Sequence, residues 1–345
     1  MQVLSSFMTD PIAPWPGELV AVGAGEVFVR SAPAPEGAEP VLFVHGLGGS
    51  ATNWTDLMDL LRRPPADRAD EPALACEALD LPGFGFSPVL ASGPRPDAAA
   101  PRGARSGGVY SIDDMARTVC DLIDKRGHWP VHLVGNSMGG AVCVRVAARR
   151  PDLVRTLTLI APALPDLRPR LLPMRVTVLC VPRVGPWLLK RAQQRISAAD
   201  RTAVSIRDIY ADPTLMDPKR LAEETAELVR RDGLGYAGEV LLAAGRGLVA
   251  EYVRRGPRSL WRDAIRVTAP TLVIYGSHDR LVRPAMAAPA ARAFRRGRVV
   301  VLSRTGHVAM MEHPGLVAKE VRELFAGARR PALAPAPAGG DAARR

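Results

Sequence analysis

Short apolar runs typical of β-strands recur along the first half of the chain, separated by stretches with the apolar spacing of helices. The strand-like runs lie at about 17–22, 26–32, 41–45, 73–80, 130–136 and 154–160. The helical stretches are Asn53–Leu61, a segment that opens at Ser111 with an acid three residues later, and 138–149. This alternation predicts a doubly wound α/β fold, in which helices cover both faces of a mostly parallel sheet.

The alternation stops after the sixth strand. Residues from about 162 to 262 contain helical patches, such as Glu223–Arg231 and Glu239–Arg255, but no clear strand pattern. Strand patterns resume at 270–276 and 298–302, and a last helix is predicted over 314–326. Residues 91–108, rich in Pro, Gly, Ala and Arg, predict a long loop. We therefore predict three parts: an α/β core of residues 1–161 and 263–327, a helical cap of residues 162–262, and a disordered tail of residues 328–345.

Composition narrows the class of protein. The chain has 345 residues, of which 47% are hydrophobic and 23% charged, a balance typical of a soluble globular protein with a sizeable core. Its four cysteines form no CxxC pair, which argues against a zinc site or a disulfide framework and favours a reducing compartment. The N-terminus lacks the basic region and apolar core of a secretory signal, so we expect a cytoplasmic protein.

The formal net charge of +11 bears on the choice of partners. Arginine is spread over the whole chain and forms no short basic run, so no nucleic-acid partner is predicted, and the composition is typical of a GC-rich bacterial genome. Residues 171–190 are apolar with interspersed basic residues and could rest on a membrane. Because Pro173, Pro182 and Pro186 prevent a long amphipathic helix, we favour a segment that covers the active site and lines an acyl pocket, with peripheral membrane contact as the alternative.

The strongest chemical signal is Gly135-Asn136-Ser137-Met138-Gly139, which lies between a predicted strand and a predicted helix. It matches the G-x-S-x-G pattern of a nucleophile elbow in the required strand–turn–helix setting. In so tight a turn, a side chain at either flanking position would collide with neighbouring backbone, which explains the two glycines. The turn lifts the hydroxyl of Ser137 to the carboxyl end of the sheet, and we predict Ser137 as the nucleophile.

A serine hydroxyl needs a base near neutral pH, and an acid must hold that base in the correct tautomer. His307 follows the last predicted strand, and Asp279 follows the strand before it. The chain order Ser137, Asp279, His307 is the one expected with this elbow, and all three follow strands whose carboxyl ends share one edge of the sheet. We predict these residues as a catalytic triad. Of the other histidines, we expect His45 to shape a loop and His132 to point off its strand.

Two backbone N–H groups are candidates for an oxyanion hole. Met138 is the first residue of the helix after the elbow, where an N–H has no partner within the helix. The second donor should come from the glycine-rich loop His45-Gly46-Leu47-Gly48-Gly49-Ser50, whose backbone can approach a ligand closely. Within that loop we predict the N–H of Leu47 as the second donor.

Five motifs taken together are similar to those of the α/β-hydrolase superfamily. They are His45-Gly46-Leu47-Gly48, Asp80 through Ser87, Gly135 through Gly140, Gly276 through Asp279, and Gly306-His307. The resemblance covers about residues 17–326 and implies the α/β-hydrolase fold, with a helical cap inserted after the sixth strand. It implies no metal and no organic cofactor, and the Asp80–Ser87 stretch is expected to shape a loop near the site. Such motifs are specific for the fold and much less so for the substrate.

The resemblance leaves several reactions open. Ser137 argues against relatives with an Asp nucleophile, such as haloalkane dehalogenases and epoxide hydrolases, whereas perhydrolases and hydroxynitrile lyases also use a serine triad. We favour hydrolysis of a carboxylic ester of a small or medium hydrophobic substrate through an acyl-enzyme. The first alternative is a C–C bond hydrolase of ring-cleavage products, whose elbow is similar. The second is a non-catalytic ligand-binding protein on the same fold, against which an intact triad argues.

Overall fold

The strands lie close to their predicted positions. A computed structural model describes residues 12–23, 25–64, 71–89, 110–128, 130–166, 168, 178–181 and 183–329, so the loop predicted at 91–108 lies outside the described residues. The strands in this part of the chain are β1 (Gly17–Val22), β2 (Gly25–Ser31), β3 (Glu39–Val44), β4 (Leu74–Leu79), β5 (Val131–Asn136), β6 (Val154–Ile160), β7 (Thr271–Gly276) and β8 (Gly297–Leu302). Each lies within two residues of a strand predicted from the sequence.

The strands form one sheet in the order β1-β2-β4-β3-β5-β6-β7-β8. The pairs β1–β2 and β2–β4 are antiparallel, whereas β4, β3, β5, β6, β7 and β8 run parallel to one another. The strands β5, β7 and β8 therefore end at one edge of the sheet, at Asn136, Gly276 and Leu302. Open α/β sheets place their active sites at this edge.

Helices cover both faces of the sheet. The helices of the predicted core are α1 (Thr55–Arg62), α2 (Ile112–Arg126), α3 (Met138–Arg149), α9 (Ala287–Ala293), α10 (Ala309–Glu312) and α11 (Pro314–Arg329). Apolar residues of α2 and α3 pack in one buried cluster, and those of α1 and α11 pack in a second cluster on the other face. At the start of α2, Ser111 Oγ accepts a hydrogen bond from the N–H of Asp114 at 3.1 Å, the N-cap bond that the sequence predicts. The first helix begins at Thr55, after a 3-10 turn, and not at Asn53 as predicted.

Between β6 and β7, the described residues contain five α-helices of seven or more residues and no strand. They are α4 (Val184–Arg195), α5 (Ala198–Ile209), α6 (Pro218–Asp232), α7 (Ala237–Val253) and α8 (Leu260–Arg266). The boundary that we placed at residue 262 falls inside α8, which packs against α3 of the core. No helix of the described part of the chain has the length and apolar character needed to cross a bilayer.

A buried ion cluster joins these helices to the core. The guanidinium of Arg145, on α3, is fully buried and forms ion pairs with Asp113 of α2, Glu251 of α7 at 2.7 Å and Asp263 of α8 at 2.6 Å. Burial raises the pKa of Glu251, with Arg145 opposing the shift. Replacing Arg145 would take the buried guanidinium away from Glu251 and Asp263 together, and breaking a buried ion pair in this way typically costs about 3–5 kcal/mol. The cluster therefore fixes α7 against α3, the helix that directly follows Ser137.

The last helix is longer than the sequence predicts. It continues to Arg329, so Ala328 and Arg329, the first residues of the tail predicted to be disordered, are helical. The side chain of Arg329 donates a hydrogen bond from Nε to Glu39 at the start of β3, at 2.9 Å. Contacts with His132 and Arg329 lower the pKa of Glu39 to about 2. This charged contact anchors the helix end, and the rest of the predicted tail lies outside the described residues.

Candidate active site

Ser137 lies at the turn between β5 and α3, with a backbone φ of 52° and ψ of −116°. A positive φ is uncommon outside glycine and persists only where the surroundings enforce it. Here the N–H of Ser137 donates to the carbonyl of Ile160 at 3.0 Å, and its carbonyl accepts from the N–H of Ala163 at 2.9 Å. The backbone is therefore held on both sides, and the strained turn presents the Ser137 side chain at the carboxyl edge of the sheet.

The glycines on either side of Ser137 are required by space. A Cβ on Gly135 would lie 2.6 Å from the sulfur of Cys143, and a Cβ on Gly139 would lie 2.2 Å from the carbonyl oxygen of Val44. Both distances are shorter than real Cβ contacts. The close approach of α3 to β3 and β5 therefore depends on these two residues, as the sequence pattern indicates.

Asp279 and His307 come together at the ends of β7 and β8. The Nδ1 atom of His307 lies 2.8 Å from Oδ2 of Asp279, and both side chains are buried. The other oxygen of Asp279, Oδ1, accepts the N–H groups of Leu281 at 2.7 Å and Val282 at 2.9 Å. The carboxylate is thus fixed in orientation and holds Nδ1 of His307, which leaves Nε2 as the ring nitrogen available for proton exchange.

Asn136 connects the elbow to the loop that carries the histidine. Its side-chain amide donates to the carbonyl of His307 at 3.2 Å and to the carbonyl of Ile160 at 3.0 Å. Because Asn136 directly precedes Ser137, these bonds hold the two predicted catalytic loops side by side. The sequence motif contained Asn136, but its contact with the histidine loop is visible only in the structure.

The glycine-rich loop after β3 packs against Ser137. A Cβ on Gly46 would lie 3.1 Å from Cβ of Ser137, so the peptide between Gly46 and Leu47 lies beside the predicted nucleophile. Met138 is the first residue of α3, and its N–H is therefore one of the free donors of a helix N-terminus. The two predicted oxyanion donors thus come from two separate stretches of backbone that both adjoin Ser137.

His45 holds this loop and is not a candidate base. Its Nε2 accepts the N–H of Leu81 at 2.9 Å, and its Nδ1 lies 2.7 Å from the carbonyl of Gly46. Burial lowers the pKa of His45 to about 4, so the ring is neutral near pH 7. The Leu81 contact joins the loop to the Asp80–Ser87 stretch, in which Asp80 accepts the N–H groups of Ala51 and Phe86. Both motifs therefore shape the loops around the site.

The remaining histidines of the described chain, including the exposed His128, have no carboxylate on a ring nitrogen beside the elbow. His132 is buried, with Nδ1 2.8 Å from Oγ1 of Thr156 and its ring stacked on Phe325 at a centroid distance of 3.8 Å. His278 is exposed and contacts the hydroxyl of Ser277, and His313 is half-buried at the start of α11. His307 is thus the histidine that a carboxylate orients beside the elbow.

Helices α6 and α7 lie over the glycine-rich loop. The guanidinium of Arg231, near the end of α6, donates to the carbonyl of Gly48. On α7, a Cδ1 atom of Leu241 approaches the Cβ position of Gly48 to 3.6 Å, and a Cβ on Gly245 would lie 3.9 Å from the side chain of Leu47. These contacts place the helical insertion on one side of the predicted oxyanion hole.

Glu312 is a positioning residue that the sequence reasoning missed. It is buried on the short helix α10, and one oxygen accepts the N–H of Gly306 at 2.6 Å. The other oxygen accepts the N–H groups of Ala211 at 3.0 Å and Asp212 at 3.1 Å, just after α5. One carboxylate therefore fixes the backbone beside His307 and the end of a helix of the insertion. The only signal in the sequence is a lone acid in the apolar run before Pro314.

Replacing Glu312 with Gln should lower kcat by about 10- to 100-fold, with a smaller change in KM. Glutamine keeps the shape but has one acceptor oxygen, so its NH2 faces either Gly306 or the two N–H groups after α5. A catalytic group displaced by about 1 Å loses rate on this scale. Steady-state kinetics and thermal unfolding test the prediction, with Glu320→Gln, which breaks a surface ion pair with Arg298, as the matched control. Wild-type kcat in Glu312→Gln would contradict the positioning role.

Comparisons with known proteins agree with this architecture. A family model described as the alpha/beta hydrolase fold matches residues 39–314. The dihydrolipoyllysine-residue acetyltransferase component of the acetoin cleaving system from Pseudomonas putida is 31% identical over 80% of this chain and 60% of that protein. The chain thus spans less than two thirds of the length of this relative.

Two further relatives are matched over most of their length. The 2-hydroxy-6-oxononadienedioate/2-hydroxy-6-oxononatrienedioate hydrolase of Paraburkholderia xenovorans (strain LB400) is 27% identical, over 84% of this chain and 88% of that protein. The pimeloyl-[acyl-carrier protein] methyl ester esterase of Aeromonas salmonicida (strain A449) is 25% identical, over 71% of this chain and 82% of that protein. Both are hydrolases, which agrees with the site described above. Because the family model matches most of the chain, this protein belongs to the α/β hydrolase fold family.

Proposed function

We propose that this protein is a serine hydrolase that cleaves carboxylic esters of small or medium hydrophobic substrates. The observation that carries the proposal is the fixed Asp279–His307 pair, 2.8 Å apart, beside a strained elbow that presents Ser137. Burying the carboxylate and the imidazole removes both groups from water, which is unfavourable. A histidine oriented in this way by a carboxylate is the arrangement that activates a serine hydroxyl.

The reaction proceeds through an acyl-enzyme. Nε2 of His307 accepts the proton of the Ser137 hydroxyl as Oγ bonds to the carbonyl carbon of the ester. The carbonyl oxygen becomes an oxyanion, which the N–H groups of Leu47 and Met138 stabilise; each such donor is typically worth about 10²–10³ in rate. The C–O bond then breaks, and the leaving alkoxide takes the proton from His307.

Water completes the cycle. His307 accepts a proton from the water molecule as its oxygen attacks the acyl carbon, and a second oxyanion forms in the same hole. Collapse of this intermediate releases the carboxylic acid, and Oγ of Ser137 recovers its proton from His307. Throughout, Asp279 holds the imidazole in place and stabilises the imidazolium that forms in each half-reaction.

Two sequence features favour an ester over a C–C bond. The loop reads Gly46-Leu47-Gly48-Gly49 and lacks the Ser-Gly-Pro-Gly type of run found in C–C hydrolases of ring-cleavage products. The residue after the base is Val308, a buried side chain, where that group usually has Trp. The first difference lies in the loop of the proposed oxyanion donor Leu47, and the second directly follows the proposed base.

A C–C bond hydrolase of ring-cleavage products is the second candidate. It is favoured by the Gly-Asn-Ser-Met-Gly-Gly elbow and by the 27% identity to the Paraburkholderia hydrolase over most of both chains. A non-catalytic ligand-binding role is the third, and it predicts that neither type of bond is cleaved.

A substrate panel distinguishes these candidates. We expect turnover of p-nitrophenyl esters, from acetate to longer acyl chains, and little turnover of a 2-hydroxy-6-oxo-dienoate at the same enzyme concentration. Ser137→Ala measured in parallel sets the background of non-catalytic hydrolysis. Turnover of the dienoate without ester hydrolysis would overturn the ester assignment, and no turnover of either substrate would favour the binding protein.

A further inference from the structure

Of the stretch 171–190, predicted to cover the active site, residues 171–177 and 182 lie outside the described residues. The described remainder belongs to the cap surface segment, which we define as Val178–Val181 and Arg183 with helix α4 (Val184–Arg195). This segment exposes several large apolar side chains, which does not fit a segment buried over an acyl pocket. Within ten residues, Val178 is 51% exposed, Val181 44%, Val184 42% and Trp187 58%. Single exposed apolar residues are ordinary on a soluble protein, but several together mark a contact surface. The other described tryptophans are buried or half-buried, so Trp187 differs in its exposure.

One face of α4 packs against the rest of the protein, so the opposite face of the helix points into solvent. Gly185 is buried, and a Cβ there would lie 1.7 Å from the carbonyl oxygen of Leu179. Leu189 approaches the Cβ position of Gly238, at the start of α7, to 3.8 Å. Trp187 and Arg191, four residues apart, lie together on the exposed side, with the guanidinium 5.4 Å from the centroid of the ring.

The segment is also basic and lacks acidic neighbours in sequence. Between Asp166 and Asp200 the chain has seven Arg or Lys residues and no Asp or Glu, which accounts for much of the net charge of +11. Four of the seven belong to the cap surface segment and are exposed, and none of these four has an ion pair within the described part of the chain: Arg183, Lys190, Arg191 and Arg195. Elsewhere arginines are commonly paired, as Arg150 is with Asp124 and Asp152.

We propose that the cap surface segment docks this protein on a bilayer that contains anionic phospholipid. Basic side chains are interspersed among apolar ones along it, which matches the headgroup region, where phosphate and hydrocarbon lie close together. Tryptophan is enriched at that depth, and each basic residue near an anionic leaflet strengthens binding about fivefold. An acidic protein surface would pair with the basic residues but leave Trp187 and the valines unmatched.

Docking at this segment has a consequence for the reaction. Helix α4 packs on α7, and α7 lies over the loop that carries Leu47. A bilayer bound at α4 would therefore lie on the insertion side of the site, where apolar esters dissolved in lipid could reach it. The proposal concerns where the protein binds and is independent of which bond Ser137 attacks.

Vesicle flotation tests the proposal with the full chain. We expect wild-type protein to float at low salt with phosphatidylcholine vesicles that contain phosphatidylglycerol. Binding should weaken as the salt concentration increases, and the protein should not bind vesicles of pure phosphatidylcholine. The variant Trp187→Ser/Lys190→Glu/Arg191→Glu should bind at least about 25-fold more weakly, since two attractive charges become repulsive. The matched control, Leu19→Ser/Arg292→Glu, changes an exposed apolar and an exposed basic residue on other elements and should bind like wild type.

The outcomes separate this proposal from the proposed reaction. Turnover of a short water-soluble ester and the unfolding temperature should be unchanged in the triple variant, because none of its three residues belongs to the site. Ser137→Ala, which is expected to be inactive, should still bind vesicles. Absence of wild-type binding to anionic vesicles would overturn the proposal and favour an acidic protein as the partner, and equal binding by the triple variant would overturn the assignment to this segment.

Discussion

Replacing Ser137 with Ala should lower kcat for ester hydrolysis by about 10⁶-fold. The substitution removes the hydroxyl oxygen that we propose forms the acyl-enzyme, while the hydrogen bonds of the elbow backbone with Ile160 and Ala163 are kept. The proposed oxyanion donors, the N–H groups of Leu47 and Met138, are backbone groups and remain. We therefore expect substrate binding to change little, with the loss confined to kcat.

The triad should behave as a unit in this experiment. Members of such a unit are strongly non-additive, so Ser137→Ala combined with His307→Ala should be no less active than Ser137→Ala alone. Ser205→Ala, at an exposed serine on α5, is the matched control and should keep wild-type kinetics. More than about one-hundredth of wild-type kcat in Ser137→Ala, after exclusion of contaminating activity, would contradict the assigned role.

Replacing Asp279 with Asn should lower kcat by about 10⁴-fold with little change in stability. The N–H groups of Leu281 and Val282 both donate to Oδ1, so the Asn carbonyl oxygen must face them and the NH2 must face Nδ1 of His307. Nδ1 then accepts a hydrogen bond, and the proton moves to Nε2. In that tautomer Nε2 cannot accept the proton of Ser137.

The control for this variant is another paired aspartate outside the site. Asp166 forms two hydrogen bonds of 2.6 Å with Arg283, and Asp166→Asn should change kcat by less than about threefold because no catalytic proton depends on it. Steady-state kinetics and thermal unfolding of both variants give the comparison. Equal losses in Asp166→Asn and Asp279→Asn would indicate a general structural effect instead of a tautomer effect.

Sequence patterns located the elements that are determined locally. The buried runs of β5, β6 and β7 are short, apolar and bounded by turn residues, so their positions follow from the residues themselves. The elbow could be predicted for a similar reason. Glycine is required at 135 and 139 because close neighbours within the strand–turn–helix unit and its nearest strand leave no room for a Cβ atom. The contact between Asp279 and His307 could be predicted because each residue follows a strand. The two strands, β7 and β8, are neighbours in the sheet and run parallel.

Features that depend on distant contacts were missed. Helix α11 continues to Arg329 because that residue reaches Glu39, 290 positions away, and no local pattern encodes this pair. Glu312 resembles an ordinary helical acid until Gly306, Ala211 and Asp212 are seen to converge on it. The exposed face of α4 could not be predicted either, because which side of a helix packs inward depends on its partner. Tertiary contacts thus determine how the insertion between β6 and β7 packs on the core. This is the part of the chain in which we expect the substrate to be selected.

Mass spectrometry after exposure to a fluorophosphonate probe tests the central claim most directly. The probe reacts with a serine only where a base activates the hydroxyl and an oxyanion hole receives the phosphoryl oxygen. We expect one phosphonyl adduct per wild-type chain, located on the peptide that contains Ser137, no adduct on Ser137→Ala, and much slower labelling of Asp279→Asn. Absence of an adduct on the wild-type protein, or equal labelling of Ser137→Ala, would contradict the serine hydrolase assignment.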